Sequence, residues 1–287
     1  MQKARRYVGL VLAAILAVAV LALTGCGGGS ASTPAPVAHK KVGVQSGTTG
    51  QAWATEHLKP QGAVIVPFKD TTGAFNALQA GSVDAVVNDL PVTAEIIKEG
   101  PTRGFTIIKD IPTGETYGIG IAKDNTALKT SVNVALKKLS DSGEMKQIYT
   151  KWIGTDTVWQ PLTSTAGSET IQPASAFKLV TPGSLTVGSD TTFPPFESMN
   201  GTTPEGFDVD MMTAIARELG LKLVFQTENF DTIFASLAGH KFDAVASASS
   251  IKPDRLKIID FSDPYFPSNQ SVAVLKSSGI TDTSQLK

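Results

Sequence analysis

Two short polar stretches are the residues best placed to do chemistry in this chain, and the chemistry they suit is noncovalent capture. Phe75 and Leu78 lead to Asp84-Ala85-Val86 at the same spacing by which Phe234 and Leu237 lead to Asp243-Ala244-Val245. Asn88-Asp89 follows the first of these runs, and Ser247-Ala248-Ser249-Ser250 follows the second. In parallel sheets ligands bind beyond the carboxyl ends of the strands, so the two loops predict two half-sites facing a cleft. Thr48, Thr49 and Gly50 lie between a β-rich run and a helical one, where their N–H groups can point at an anion. Ordinary N-capping by threonine would use the same helix end. Bond-breaking signatures are missing. His39, His57 and His240 are scattered without metal-ligand spacing. Gly118-Ile119-Gly120 is only a fragment of a dinucleotide-binding turn, and 43–47 lacks the spacing of a nucleophile elbow. No catalytic residue, metal or cofactor is expected.

Such loops need strands and helices to hold them. Residues 41–45 and 64–68 are short β-rich runs with a helical segment over 51–58 between them, and 185–188 and 223–226 make a similar pair. Between the latter, Phe207, Met211, Ile215 and Leu219 recur every four residues, and Gly220 stands where a helix C-cap belongs. Strands alternating with amphipathic helices predict parallel βαβ units and an α/β fold.

At the N-terminus, Lys3, Arg5 and Arg6 precede an uncharged apolar run over 8–23. That run is shorter than the ~20 residues of a spanning helix and reads as a signal peptide. It closes on Leu23-Thr24-Gly25-Cys26, which resembles the bacterial lipobox, and Cys26 is the chain's one cysteine. Lipidation of Cys26, export and membrane anchoring are therefore expected, with the Gly-, Ser-, Ala- and Pro-rich 26–40 as a flexible tether. Basic and acidic residues nearly balance, 25 against 26, so no field favours nucleic acid.

The chain resembles the periplasmic amino-acid-binding proteins that serve ABC importers. The matching segments are GSDTTFPPF (188–196), GFDVD (206–210), SIKPDR (250–255) and DFSDPY (260–265). To these are added KVGVQSGTTG (41–50), VDAVVND (83–89), YGIGIA (117–122) and IYTKW (148–152). The resemblance implies a two-lobed, type II periplasmic-binding-protein-like fold with a ligand cleft between the lobes. The order differs from the family, in which the segment like 184–287 comes before the segment like 41–154. This reads as a circular permutation, the old ends being joined through 155–183. The expected layout is lobe 2 over 41–117, a crossing strand and helices returning to lobe 1 over 118–154, and lobe 1 over 184–270. A second crossing strand and terminal segment occupy 271–287. In-chain closure predicts a monomer; a domain-swapped dimer is the rival arrangement.

A free amino acid presents a carboxylate, an ammonium and a side chain. The resemblance places Arg255 on the carboxylate, which its planar fork suits, though by itself Arg255 reads as a solvated arginine on a helix. Asp89, with Ser250 and the Ala248 backbone, is implied for the ammonium, although two residues before Pro91 it also reads as a helix cap. Ser247, Thr48 and Thr49 join this set. Phe193 and Phe230 match aromatic positions that sandwich the ligand side chain, and as isolated phenylalanines they read as core. Asp190 matches an acidic position of relatives that bind basic amino acids or glutamine. An aromatic pair plus a carboxylate suits a guanidinium, while an exposed turn aspartate is the plain alternative. Gln45 and Asn88 are placed towards the far end of the side chain. The expected partners are a free amino acid, arginine-like before glutamine, and ABC permease subunits. An amino-acid sensor subunit and a dehydratase-like enzyme on the same scaffold are the competing functions.

Overall fold

The computed structural model describes residues 39–155 and 163–287. The expected signal peptide and Cys26 lie outside the described residues, as do the tether up to 38 and 156–162 of the expected linker.

From Lys41 the chain alternates strand and helix. First come β1 (Lys41–Gln45), α1 (Thr49–His57), β2 (Val64–Phe68), α2 (Thr71–Gln79), β3 (Ala85–Asp89) and α3 (Leu90–Glu99). Then follow β4 (Phe105–Tyr117), β5 (Gly120–Ile121), α4 (Thr126–Asp141) and α5 (Glu144–Trp152). Next are β6 (Ser184–Ser189), β7 (Ser198–Asn200), β8 (Thr203–Glu205), α6 (Phe207–Glu218), β9 (Lys222–Thr227), α7 (Phe230–Ala238) and β10 (Ala244–Val245). The series ends with α8 (Pro253–Leu256), β11 (Asp260–Phe261) and β12 (Phe266–Leu275). The strands build two five-stranded sheets, ordered β2-β1-β3-β12-β4 and β11-β5-β10-β6-β9, beside the β7-β8 hairpin. Among the described residues no helix is long and apolar enough to cross a membrane.

Each sheet has the same parallel core. β1 lies between β2 and β3, and β6 lies between β9 and β10. The chain leaves the central strand on one side and returns on the other, which opens a crevice beyond the strands' carboxyl ends. The repeated spacing seen in the sequence has a structural reason. Asp84 accepts a hydrogen bond from Lys41 N at 2.8 Å, and Asp243 accepts one from Thr186 N at 2.6 Å. Each aspartate therefore fixes its strand against the start of the central one. In front of these strands, α2 and α7 bury Phe75 and Leu78, and Phe234 and Leu237, on one face.

The four-residue stripe of α6 is buried as expected, and Gly220 takes φ +68° just past the C-cap. Gly206, ahead of α6, has φ +140°, and a Cβ there would lie 2.1 Å from Phe196 O. Gly206→Ala should therefore destabilise the fold by more than ~3 kcal/mol, read as a lowered denaturant midpoint with unchanged slope.

The chain passes between the sheets at Gly118–Ile119, where β4 gives way to β5, and at 262–265, where β11 gives way to β12. The second crossing comes earlier than the expected 271–287. Ser271 to Val274 pair with both β3 and β4, because the alternating apolar residues Val272 and Val274 complete the first lobe's core. At the crossings Tyr117 stacks on Phe266 at 5.7 Å and meets Phe196 edge-on at 5.2 Å. Aromatic contacts of this kind contribute ~0.5–1.5 kcal/mol each beyond burial. Beside β1, Lys40 N donates to Lys287 O at 3.1 Å, and Leu286 is buried in the same core as Val42 and Val44.

Candidate functional site

The ends of β1, β3, β6 and β10 converge on one narrow cavity. Gln45, Thr48, Thr49 and Asp89 line it from the ends of β1 and β3. Asp190, Phe193, Phe230, Ser247, Ala248, Ser250 and Arg255 line it from the facing lobe. These are the ligand-contacting residues expected from the sequence, brought together. Asn88 does not line the cavity; it is buried behind it, accepting a 3.4 Å bond from Thr71.

The lobes are closed on each other. Gln45 Nε2 donates to Asp190 Oδ2, Arg255 Nη2 donates to Gly47 O at 3.1 Å, and Ser250 Oγ donates to Glu115 at 2.6 Å. Thr48 is the N-cap of α1 and accepts from Gln51 N at 3.1 Å, so the capping role is real. The same helix end faces the cavity, which is where the positive end of its dipole favours an anion.

Arg255 is not a solvated arginine: it is 5% exposed. Its guanidinium lies 4.5 Å from the Phe234 ring centre and 5.1 Å from that of Phe230, and Nη1 donates to Ser250 O at 2.8 Å. Burial brings its pKa down to about 10, so it stays charged at neutral pH. Among the described residues no carboxylate forms an ion pair with it. A buried cation in direct contact with carbonyls and rings, and attracted by Asp89 and Glu115 without an ion pair, is costly and favours an incoming anion.

Asp89 stands at the N-cap position of α3 without capping it. Its carboxylate instead accepts from the Tyr117 hydroxyl and from Gln270 Nε2 at 2.6 Å. Burial first, and the nearby Glu115 second, push its pKa up to about 7; the bonds from Tyr117 and Gln270 and the charge of Arg255 oppose that rise. Asp190 is buried too, not an exposed turn residue, and burial raises its pKa despite bonds from Thr192 and Gln45. Phe193 and Phe230 serve both their lobe's core and the cavity wall.

Sequence reasoning missed the residues that hold these groups. Gln270 also bonds Thr49 Oγ1 at 3.1 Å and Glu115 at 3.3 Å, and Tyr117 bonds Ser268 at 2.9 Å. They come from the crossing strands, so no local spacing links them to the loops they support. Tyr117 stood within a matching segment, and Gln270, Ser268 and Glu115 carried no signal.

The family model described as "Bacterial extracellular solute-binding proteins, family 3" matches residues 57–155 and 185–285. Among curated relatives, the "Probable histidine-binding protein" of Neisseria gonorrhoeae is 35% identical over 143 residues, 48% of this chain and 52% of that protein. The "ABC transporter arginine-binding protein 1" of Escherichia coli is 34% identical over 93 residues, 32% of this chain and 38% of that one. The chain thus spans about half, or less, of the curated relatives it matches. A solved structure titled "An ancestral arginine-binding protein bound to arginine" is 44% identical over 29% of this chain and 38% of its own, with a TM-score of 0.29. With more than half of its residues matched by the family model, the chain belongs to the bacterial extracellular solute-binding proteins, family 3.

Proposed function

We propose that this protein captures a polar or basic amino acid, arginine-like first and glutamine second, by closing two lobes around it, and delivers it to an ABC-type importer. The observation that carries the reading is the buried, charged Arg255 without an ion-pair partner among the described residues, aimed at the same cavity as Asp89. Arg255 takes the ligand carboxylate with the α1 N-terminus, Asp89 and Ser250 take the ammonium, and Asp190 meets the guanidinium between Phe193 and Phe230. Curated relatives named for arginine and histidine binding support a basic ligand. The charged groups facing the cavity are matched by the carboxylate, ammonium and guanidinium of arginine, so no turnover is assigned. Calorimetric titration against the twenty amino acids tests this: arginine should bind at one site and be recovered unchanged. Binding of acidic or aliphatic amino acids alone would overturn it.

Affinity should depend on pH through Asp89. Its pKa of about 7 means that it is largely neutral at pH 6 and ionised at pH 8. Pairing with an ammonium requires the ionised form, so affinity should rise by up to ~10-fold per pH unit below 7 and level off above. Titration at pH 6.5 in two buffers of different ionisation enthalpy should report proton release. Proton uptake would contradict the assignment.

The exchanged order of the halves is read as a circular permutation. The bond from Lys40 N to Lys287 O supports it, since it sets residue 287 beside the strand into which the family's order would run. With Cys26 lipidated, the tether would enter the Asp89 lobe, close to residue 287, and the monomer would close on itself.

A further inference from the structure

A second pair of carboxyl groups lies beneath the site. Glu197 and Asp208, each fully buried, sit under the loop that carries Ser247 and Ala248. Ser247 Oγ donates to Glu197 Oε1 at 3.0 Å, while Asp208 Oδ2 accepts from Ala248 N at 2.9 Å and from the Tyr265 hydroxyl at 2.7 Å. The remaining oxygens, Glu197 Oε2 and Asp208 Oδ1, are buried without an N–H or O–H donor among the described residues. The two carboxyls lie under neighbouring residues of that loop, each turning one oxygen to it. Carboxyls buried this close repel each other when both are ionised, and one proton kept between them removes the repulsion.

The pair joins two ligand-facing segments. Asp190 N donates to Ser247 Oγ at 2.9 Å, so bonds run from Asp190 through Ser247 to Glu197, while Asp208 holds Ala248 N. Ala248 has φ +43°, a left-handed conformation that a residue with a Cβ adopts only when held there. The bond to Asp208 is the hold that the structure shows.

We propose that Glu197 and Asp208 share one proton and, through it, act as positioning residues that set the Ser247–Ala248 backbone for the ligand. Their role towards the ligand rests on the amino-acid-binding reading, whereas the shared proton does not. The charged groups facing Glu197 are Asp208 and Asp190, both acidic, and Tyr265 faces Asp208. Among the described residues no cation forms an ion pair with either carboxyl. Burial and mutual repulsion hold Glu197 well above the usual carboxylate range, in keeping with a proton retained at neutral pH.

The amide variants separate this from a merely structural role. Glu197→Gln can accept from Ser247 and donate to Asp208, reproducing the protonated acid at every pH. Adding Asp208→Asn turns two donors towards each other. Carbon-detected NMR of the ligand-free protein from pH 5 to 10 should show one proton held by the pair at pH 7. The Ala248 methyl resonance should move with the pair's alkaline titration in the wild type and stay still in Glu197→Gln. Two carboxyls both ionised at pH 7, or an Ala248 methyl indifferent to their titration, would overturn the proposal. In calorimetry with arginine at pH 7, Glu197→Gln should bind within about threefold of wild type, and the double variant should lose about tenfold or more. Equal losses in both variants would overturn the positioning role. Should the double variant fail to fold, the wild-type carboxyl and methyl titrations still decide. Should the wild type bind no amino acid while its Ala248 methyl tracks the carboxyls, positioning of the loop stands and the ligand reading fails.

Discussion

Replacing Arg255 with methionine should weaken arginine binding by at least ~100-fold while changing the stability of the ligand-free protein by no more than ~1–2 kcal/mol. The two effects separate because the guanidinium is buried without a carboxylate. Removing it loses the bonds to Ser250 O and Gly47 O but also relieves the desolvation that brings its pKa down to about 10. The methionine chain can still fill the space over Phe230 and Phe234. With ligand, the ledger is one-sided, since the carboxylate would be buried without its partner. Arg255→Lys should not restore binding, because an ammonium cannot present the planar fork. Titration calorimetry read beside thermal melts would check both parts. A large fall in melting temperature with only a small change in affinity would show that Arg255 is structural.

Asp190→Asn should cost arginine ~10–100-fold in affinity and glutamine less than about threefold. The carboxylate stands at the end of β6, where Gln45 and Thr192 donate to it. An asparagine can accept the Gln45 bond through its one oxygen and donate its amide N–H to the rotated Thr192 hydroxyl, so closure of the lobes should survive. What is lost is charge, and charge matters to a guanidinium far more than to a neutral amide. Competition between the two ligands in one sample would remove differences in protein activity from the comparison. Equal losses would mean that Asp190 acts through the fold or through the zwitterion common to both.

Much of the site was legible in the sequence because its parts sit where topology always puts them. Gln45, Asp89, Asp190 and Ser247 each lie at the end of a parallel strand or within two residues after it, so recognising the βαβ pattern already located them. The repeated Phe-x-x-Leu and Asp spacing was legible for the same reason, since Asp84 and Asp243 perform one task in two sheets. Burial was harder to see. Arg255 and Asp190 looked like solvated surface residues on local grounds, and only the fold encloses them. The support behind Asp89 was hidden altogether, because Tyr117 and Gln270 are 28 and 181 residues away along the chain. The second crossing was placed late because the alternating Val272 and Val274 mark a strand without marking where it changes lobe.

The central claim is that the cavity reads both ends of one cationic amino acid. A crystal structure of the protein grown with arginine tests it most directly. The ligand carboxylate should lie against Arg255 and the α1 N-terminus, its ammonium against Asp89, and its guanidinium against Asp190 between Phe193 and Phe230. Arginine bound outside this cavity, or bound in reverse with its carboxylate towards Asp190, would contradict the account.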